Sequence, residues 1–592
     1  MRRVVWPAAV AGAVVAAAVV YTLLGRRLEG PSVFGDEMIY MDAARALAGF
    51  DPPTIRDEPY GFGPIYPLLL APVLALAPGE PAGYDLVKAV NAVMFALAAI
   101  PVYLLGRRLL PAAWSFAVAL LSIAAPSALY TGFVLTEGLS YLLACSALLG
   151  IALVLERPTI GRQLGAVAVI GLSVATRAQL VALAATLVLG LAVRWLSLAR
   201  PRPGMASLVR LWPTGAVLAA GLVLAVAVPV ARGTSPLRGY EVLWRSYDPL
   251  VVLKMSWYSL AGLELYLAFV PVVIAPAALV LLLRPEGSTP RAAFASVFVA
   301  ANAAFILLVG AFLTTPLIEP NLHDRYLFYV VPLWLVLTAA WLELGATGSR
   351  KALAAGAVLG VVLAATLPTR LLIEDRGRQL DGVATALWAE LQSLTESPGD
   401  VRAALVLAAA AAVAVVLLVP VRVAGVLLAP IAAVFVLNAV FVWQSRYSEN
   451  LDVFDPRTSA EVSWVDRAAP KGDEVTTLYV ASGACLQGVR DAFLWTEFYN
   501  ERIGPGAGVG GGASGALPTT LVLVGADGTL RTSDGRPLSA RYVVTPPGVA
   551  LDGRLLARGT TSALGLWAVD GRVRVVGARS DEELLTAACA PA

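Results

Sequence analysis

Two carboxylates stand side by side at Asp36 and Glu37, shortly after the first apolar run of a very hydrophobic chain, and a third acid, Glu137, opens a later run behind Thr136. Acids set just outside a hydrocarbon core suit proton transfer at the lipid surface, because an ionised carboxylate near a hydroxyl can act as a general base. Candidate cations flank the same runs: Lys88, Arg177, and the segment His323-Asp324-Arg325-Tyr326-Leu327. Arginine stays charged and grips a phosphate through two parallel hydrogen bonds, so fixed guanidiniums at headgroup depth would stabilise a departing phosphate. Plainer readings stand beside these. Asp36 can simply cap a helix with Glu37 solvated, the lone histidine can be structural, and Arg325 can be a snorkelling anchor.

Composition decides what elements hold these groups. With 58% hydrophobic and 14% charged residues over 592, and a mean hydropathy of +0.75, the chain is far from a soluble globular protein. Ala/Val/Leu runs of about 20 residues recur between Arg, Pro and Gly, the length a helix needs to cross about 30 Å of hydrocarbon. The runs lack the alternation of barrel strands and read as helices. Crossings are expected near residues 4–24, 82–106, 113–131, 135–155, 163–176, 178–194, 211–231, 258–283, 292–313, 328–345, 352–368, 402–420 and 424–443, about thirteen in all. The fifth and sixth are divided by Arg177 and also read as one interrupted helix. Between the first two runs, residues 25–81 form a long loop. Ile39, Ala43, Ala46 and Leu47 recur there at helical spacing, which predicts an amphipathic helix along the membrane surface with Asp36 at its start. Free N–H groups and the helix dipole at that start favour an ionised acid.

Lys and Arg in short loops orient the bundle. Arg2-Arg3, Arg107-Arg108, Arg157 with Arg162, Arg194 to Arg210, Arg284 with Arg291, Arg350-Lys351 and Arg422 share one face, taken as cytoplasmic; Arg26-Arg27 run against this locally. The first run lacks a small-residue cleavage site and reads as an anchor. The N-terminus is therefore expected inside, with a membrane domain over 1–445 and an outer domain over 446–592. In that tail apolar runs shorten to strand length, as in Val475 to Val480, Leu521 to Val524, Tyr542 to Val544 and Leu566 to Val569, while Asp491 to Arg502 read as helix. The Gly-rich segment 504–516 is expected to form a loop with no regular element. Cys485 and Cys589 both fall in the tail, where an oxidising exterior favours pairing, but spacing does not decide it. Residues 369–400 read as a solvated surface helix.

Taken in order, Asp36-Glu37, Tyr60-Gly61-Phe62-Gly63-Pro64-Ile65-Tyr66-Pro67, Asn91, Tyr103 with Arg107-Arg108, Pro126, Thr136-Glu137-Gly138, Thr176-Arg177 and His323 to Leu327 resemble the GT-C glycosyltransferases. The resemblance is to their phospholipid-carrier-dependent group, which includes protein O-mannosyltransferases, the lipid A aminoarabinose transferase and actinobacterial cell-wall mannosyl- and arabinosyltransferases. It covers residues 1–345 and fades beyond them. It implies a polytopic all-α membrane domain of GT-C type with a small outer α/β domain. The implied activity is inverting transfer of a sugar, mannose or arabinose, from a polyprenyl-phosphate donor to an extracytoplasmic glycan, lipid or protein. Asp36 matches the first-loop acid used as general base, Glu37 would orient it or the acceptor, and Glu137 matches a second outer acid. Arg325, His323 and Arg177, with Lys88 as a weaker candidate, would hold the donor phosphate; Tyr40, Tyr60, Tyr66 and Tyr326 would contact substrate. Some members hold a divalent cation through the second acid, yet two or three acids without further ligands are a poor cation site, and no obligatory metal is expected.

Other classes make different demands. A transporter or flippase places ionisable residues near the bilayer midplane, often in paired repeats, whereas the conspicuous charges here gather on one face. An envelope polysaccharide ligase of another fold, or a membrane-anchored sensor, remains as an alternative; a sensor has no need of acids in the first loop. Trp244, Arg245, Tyr247, Lys254, Trp257 and Tyr258 are read as an outer loop, for interfacial anchoring or as a sugar platform.

Overall fold

The computed structural model describes residues 2–31, 35–56, 58–77, 82–196, 209–231, 247–284, 288–315, 321–346, 349–372, 382–383, 386–395, 397–419, 425–453, 462–480, 486–509, 517–560 and 562–588. The molecule is a multi-pass helical bundle that carries a mixed α/β domain at its C-terminal end. Among the described residues seven helices are long and apolar enough to cross a membrane, or nine if each of two sharply bent pairs counts as one span. The expected count of about thirteen crossings is not confirmed by that measure; further apolar helices, among them Ile160–Thr176 and Phe328–Glu343, are shorter.

Two of the expected crossings are sharply bent. Residues 113–131 form α6 (Ala112–Ile123) and then a 3-10 segment, Pro126–Gly132, bent by 51°; Pro126 has no N–H to continue the helical ladder. The expected span 258–283 is an elbow. Its first arm is α11 (Pro249–Tyr266) and its second α12 (Val270–Leu282), bent by 105°, with Ala268 and Phe269 at positive φ in the corner. Lys254, Trp257 and Tyr258 therefore lie on a helix, contrary to the loop expected; Trp244 and Arg245 fall outside the described residues. Arg177 does separate two helices, α8 (Ile160–Thr176) and α9 (Ala182–Leu196). Its own backbone is extended, with φ −152°. Ala386 and Trp388, in the stretch read as a solvated helix, are buried.

Helix α4 (Ala82–Leu97) packs against α1 (Arg2–Gly25), against α7 (Glu137–Glu156) and against the long loop that follows α1. That loop contributes α2 (Gly35–Ala48), a two-stranded ribbon β1 (Thr54–Ile55) and β2 (Glu58–Pro59), and α3 (Ile65–Ala75). The expected amphipathic helix exists, but protein covers it where lipid was expected. Met38, Ile39, Met41, Ala43 and Ala44 of α2 join Tyr66 and Leu70 of α3, Tyr84 and Val87 of α4, and five tail residues in one apolar cluster.

The tail builds a seven-stranded sheet in the order β6-β5-β4-β3-β7-β9-β8. Here β3 is Val475–Val480, β4 Ile503–Val509, β5 Thr520–Val524, β6 Leu530–Thr532, β7 Ser539–Thr545, β8 Gly553–Arg558 and β9 Gly565–Arg572. The central strands β5, β4, β3 and β7 run parallel. Every residue of β3 is buried, as a strand covered on both faces requires. The Gly-rich segment is corrected here: its first part, Ile503–Val509, is strand β4 near the middle of the sheet, paired on both sides. Glycine is weak in a strand unless another group must come close, and here one does. A Cβ on Gly506 would lie 2.5 Å from the Arg56 guanidinium. Residues 510–516, Cys485 and Cys589 lie outside the described residues.

Candidate active site

Asp36 is the second residue of α2, in its first turn, where the sequence places it. Opposite, Glu137 begins α7. Gly138 lets that helix press against α4, since a Cβ there would sit 2.8 Å from the Asn91 carbonyl oxygen. Both acids thus stand at helix N-termini, where backbone N–H groups and the dipole favour negative charge.

Arg325 joins them. Its Nη2 donates to Asp36 Oδ2 at 2.9 Å and its Nε donates to Glu137 Oε1. Arg177 donates from Nη1 to the same Glu137 oxygen and to Thr136 Oγ1 at 3.0 Å. The result is a charge-balanced chain running Asp36, Arg325, Glu137, Arg177. Glu137 is wholly buried and the Arg325 side chain is 4% exposed, whereas the Asp36 side chain is 38% exposed. Asp36 is therefore the accessible end. Aromatic rings back the guanidiniums: Arg177 lies over Tyr326 at 5.4 Å and Arg325 over Tyr130 at 6.0 Å. His323 stacks on Tyr326 with centroids 5.6 Å apart. Arg177 is held on the face of the first loop, because Gly63 abuts the carbonyls of Ala175 and Thr176. Residues from positions 36, 137, 177 and 325 thus meet within hydrogen-bond reach.

The remaining expected site residues are placed differently. Glu37, expected beside the acceptor, is fully buried. Its Oε2 accepts from the Val134 N–H and from Tyr84 Oη, each at 2.9 Å, so it fastens α2 to the turn before Glu137. Lys88 is 1% exposed. Its Nζ donates to the carbonyls of Gly25 and Leu28 at 2.9 and 2.7 Å and to Asp85 at 2.8 Å, which ties α1 to α4. Tyr66 has no exposed surface; it exchanges hydrogen bonds with Asn91 and meets Tyr40 edge-on at 5.3 Å. Tyr60 is buried and donates to the Gly63 carbonyl at 2.9 Å. Of the four tyrosines, only Tyr40 and Tyr326 retain partial exposure. For these residues the sequence showed the right neighbourhood and not the direction of the side chain.

Among the described residues no group of three or more His, Cys, Asp and Glu converges as for a metal ion. The guanidinium of Arg325 bridges the carboxylates of Asp36 and Glu137. Tyr130 and Thr136 also belong to the site. Thr136 was visible beside Glu137, but Tyr130 carried no signal because its place under Arg325 depends on the break at Pro126.

The fold and the site together define a multi-pass membrane protein with a charged cluster beneath a docked α/β domain. Among solved structures it is similar to ArnT from Cupriavidus metallidurans in the apo state, with a TM-score of 0.50 and 14% identity over 94% of this chain and 97% of ArnT. The same protein bound to undecaprenyl phosphate gives 0.51 and 15% over the same shares. An Archaeoglobus fulgidus oligosaccharyltransferase, tethered to an acceptor peptide, matches at 14% identity over 90% of this chain and 69% of its own, with a TM-score of 0.41. No protein-family model matches the chain, and no curated protein matches it by sequence.

Proposed function

We propose that this protein is an inverting glycosyltransferase that moves a sugar from a polyprenyl-phosphate donor to an acceptor outside the cytoplasm. The observation that carries this reading is the Asp36–Arg325–Glu137–Arg177 chain, with its acid end exposed and its cations held beneath. The ArnT-like fold supports it, because ArnT has been solved with undecaprenyl phosphate bound.

Asp36 accepts the proton of an acceptor hydroxyl as that oxygen attacks the anomeric carbon. The bond between that carbon and the phosphate oxygen breaks, the configuration inverts, and polyprenyl phosphate leaves with the electron pair. Arg325, and Arg177 behind it, offset the growing charge on the phosphate. Because Arg325 already holds Asp36, one residue sets the distance between base and leaving group. His323 and Tyr326 support that edge of the site, with Tyr40 on the acceptor side. Glu37 and Lys88 fit positioning roles better than contact with substrate. A divalent cation is unnecessary in this scheme. Mannose and arabinose are the sugars favoured, the N-terminus is cytoplasmic, and the α/β domain faces the acceptor.

The test uses membranes or purified protein with polyprenyl-phosphate sugars. Wild type should release polyprenyl phosphate, in the presence of EDTA as well. Asp36→Asn should lower turnover by about 10²- to 10⁴-fold, the range of a positioned general base, with donor binding retained. Full turnover in a well-expressed Asp36→Asn variant sinks the assignment.

A further inference from the structure

The α/β domain grips the loop that carries Asp36 through one buried network. Arg56, just past β1, sends Nε and Nη2 to the two carboxylate oxygens of Glu497 at 2.6 and 2.5 Å. Its Nη2 also reaches Tyr479 Oη at 2.6 Å, and its Nη1 donates to the Pro518 carbonyl and Thr519 Oγ1, each at 3.0 Å. Tyr479 itself donates to Glu497 at 2.6 Å. The pair is almost sealed from solvent, with side chains 2% and 4% exposed. Glu497 lies on α20 (Leu486–Tyr499), a tail helix. The same end of that helix meets the first loop and the start of α4 at three more places. Phe498 packs edge-on against Tyr84 at 5.2 Å, its carbonyl accepts from Arg45 of α2 at 2.9 Å, and Tyr499 Oη donates to the Glu29 carbonyl at 2.6 Å. Trp495 fills the space over Gly30, where any Cβ would collide with its ring. Leu494, Trp495, Phe498 and Tyr499 share a core with α2.

These contacts flank α2 on both sides of Asp36. Gly30 and Glu29 precede it and Arg45 and Arg56 follow, so α20 spans the segment that sets where the acid sits. A buried guanidinium and carboxylate with this many fixed partners tolerate little displacement, and a misplacement of about 1 Å at a reacting group can lower rate about 10²-fold.

We propose that Arg56 and Glu497 are positioning residues for the transfer reaction: the α/β domain clamps α2 through this pair and thereby holds Asp36 in register with Arg325 and Glu137. This rests on the function proposed above. It makes the outer domain part of the active-site scaffold. Arg56 uses both edges of its fork, so a lysine recovers the charge and only part of the geometry.

Two measurements on the full chain in detergent test it. The first is steady-state transfer with Arg56→Met, Arg56→Lys and Glu497→Gln, beside Asp36→Asn. Turnover should fall about 10- to 100-fold in Arg56→Met and Glu497→Gln while donor KM changes less than about threefold, with Arg56→Lys between them and wild type. The second is hydrogen exchange followed by mass spectrometry, which needs no activity. Residues 35–48 should lose protection in Arg56→Met while α4 and α7 keep theirs. Unchanged exchange over 35–48, or wild-type turnover in Arg56→Met, overturns the clamp. Loss of protection throughout the spans, or a lysine variant as impaired as methionine, makes the pair a folding element and also overturns it. If Asp36→Asn is fully active while 35–48 still loosen in Arg56→Met, the functional reading fails and the clamp stands.

Discussion

Replacing Arg325 by methionine removes the centre of the buried charge chain and nearly preserves volume. Arg325 makes two ion pairs of unequal worth. The contact with Asp36 has an acid 38% exposed, so water can take over and its loss costs about 0–1 kcal/mol. The contact with Glu137 has an acid with no exposure, and breaking a buried pair costs about 3–5 kcal/mol because a charge is left uncompensated. Arg177 still holds the same Glu137 oxygen, which points to the lower end, about 3 kcal/mol for the variant as a whole. Glu137→Gln alone removes the acid that Arg177 and Arg325 share, leaves Arg325 its pair with Asp36, and should cost a similar amount. The double variant removes one charge of each sign and restores neutrality, so it should be more stable than the sum of the singles by about 2 kcal/mol. Reversible unfolding in mixed micelles, titrated with a denaturing detergent, reads all four corners of the cycle. Additivity within about 0.5 kcal/mol would refute the description of the cluster as one coupled unit.

Two further outcomes follow from particular contacts. Burial raises the Asp42 carboxyl from 3.8 to about 6; Arg45 opposes the shift and Glu497 adds to it. The folded chain then holds this proton more tightly than the unfolded chain, so the group costs wild type stability as pH rises from about 4 to about 6. Asp42→Asn should melt higher than wild type at pH 7.5 and together with it at pH 4; a gap that widens on acidification contradicts the assignment. In the bundle, α15 (Arg350–Thr366) packs on the elbow through Gly356 and Gly360. A Cβ on Gly356 would lie 1.9 Å from the Val273 carbonyl oxygen, and one on Gly360 would lie 2.8 Å from Glu264 Oε1. Gly356→Ala should therefore destabilise by about 1–3 kcal/mol, whereas Gly171→Ala, with nothing within 4 Å, should be close to neutral in the same unfolding assay.

The sequence by itself determined the membrane class, the order of the apolar helices and the identity of the charged residues at their ends. These are local properties: hydrocarbon thickness fixes a run length, and a strand-sized run in a polar tail announces a sheet. It also placed Asp36 at a helix start, because helix spacing and the neighbouring acids are readable within a few residues. Tertiary structure decided the rest. Whether Glu37 or Asp36 faces the cleft turns on rotation about one helix axis, and the partners that settle it, Val134 and Tyr84, are distant in sequence. At the elbow, Pro271 just past the corner permits a break in the apolar run, but the 105° bend at Ala268 and Phe269 is set by the packed bundle. The Gly-rich strand misled for a related reason: composition reports conformational freedom, but Arg56, far away in the first loop, supplies the group that makes a strand of small residues the better fit. Charges written at positions 36, 137, 177 and 325 become one site only when four helix ends converge, and that convergence is a property of the packed bundle alone.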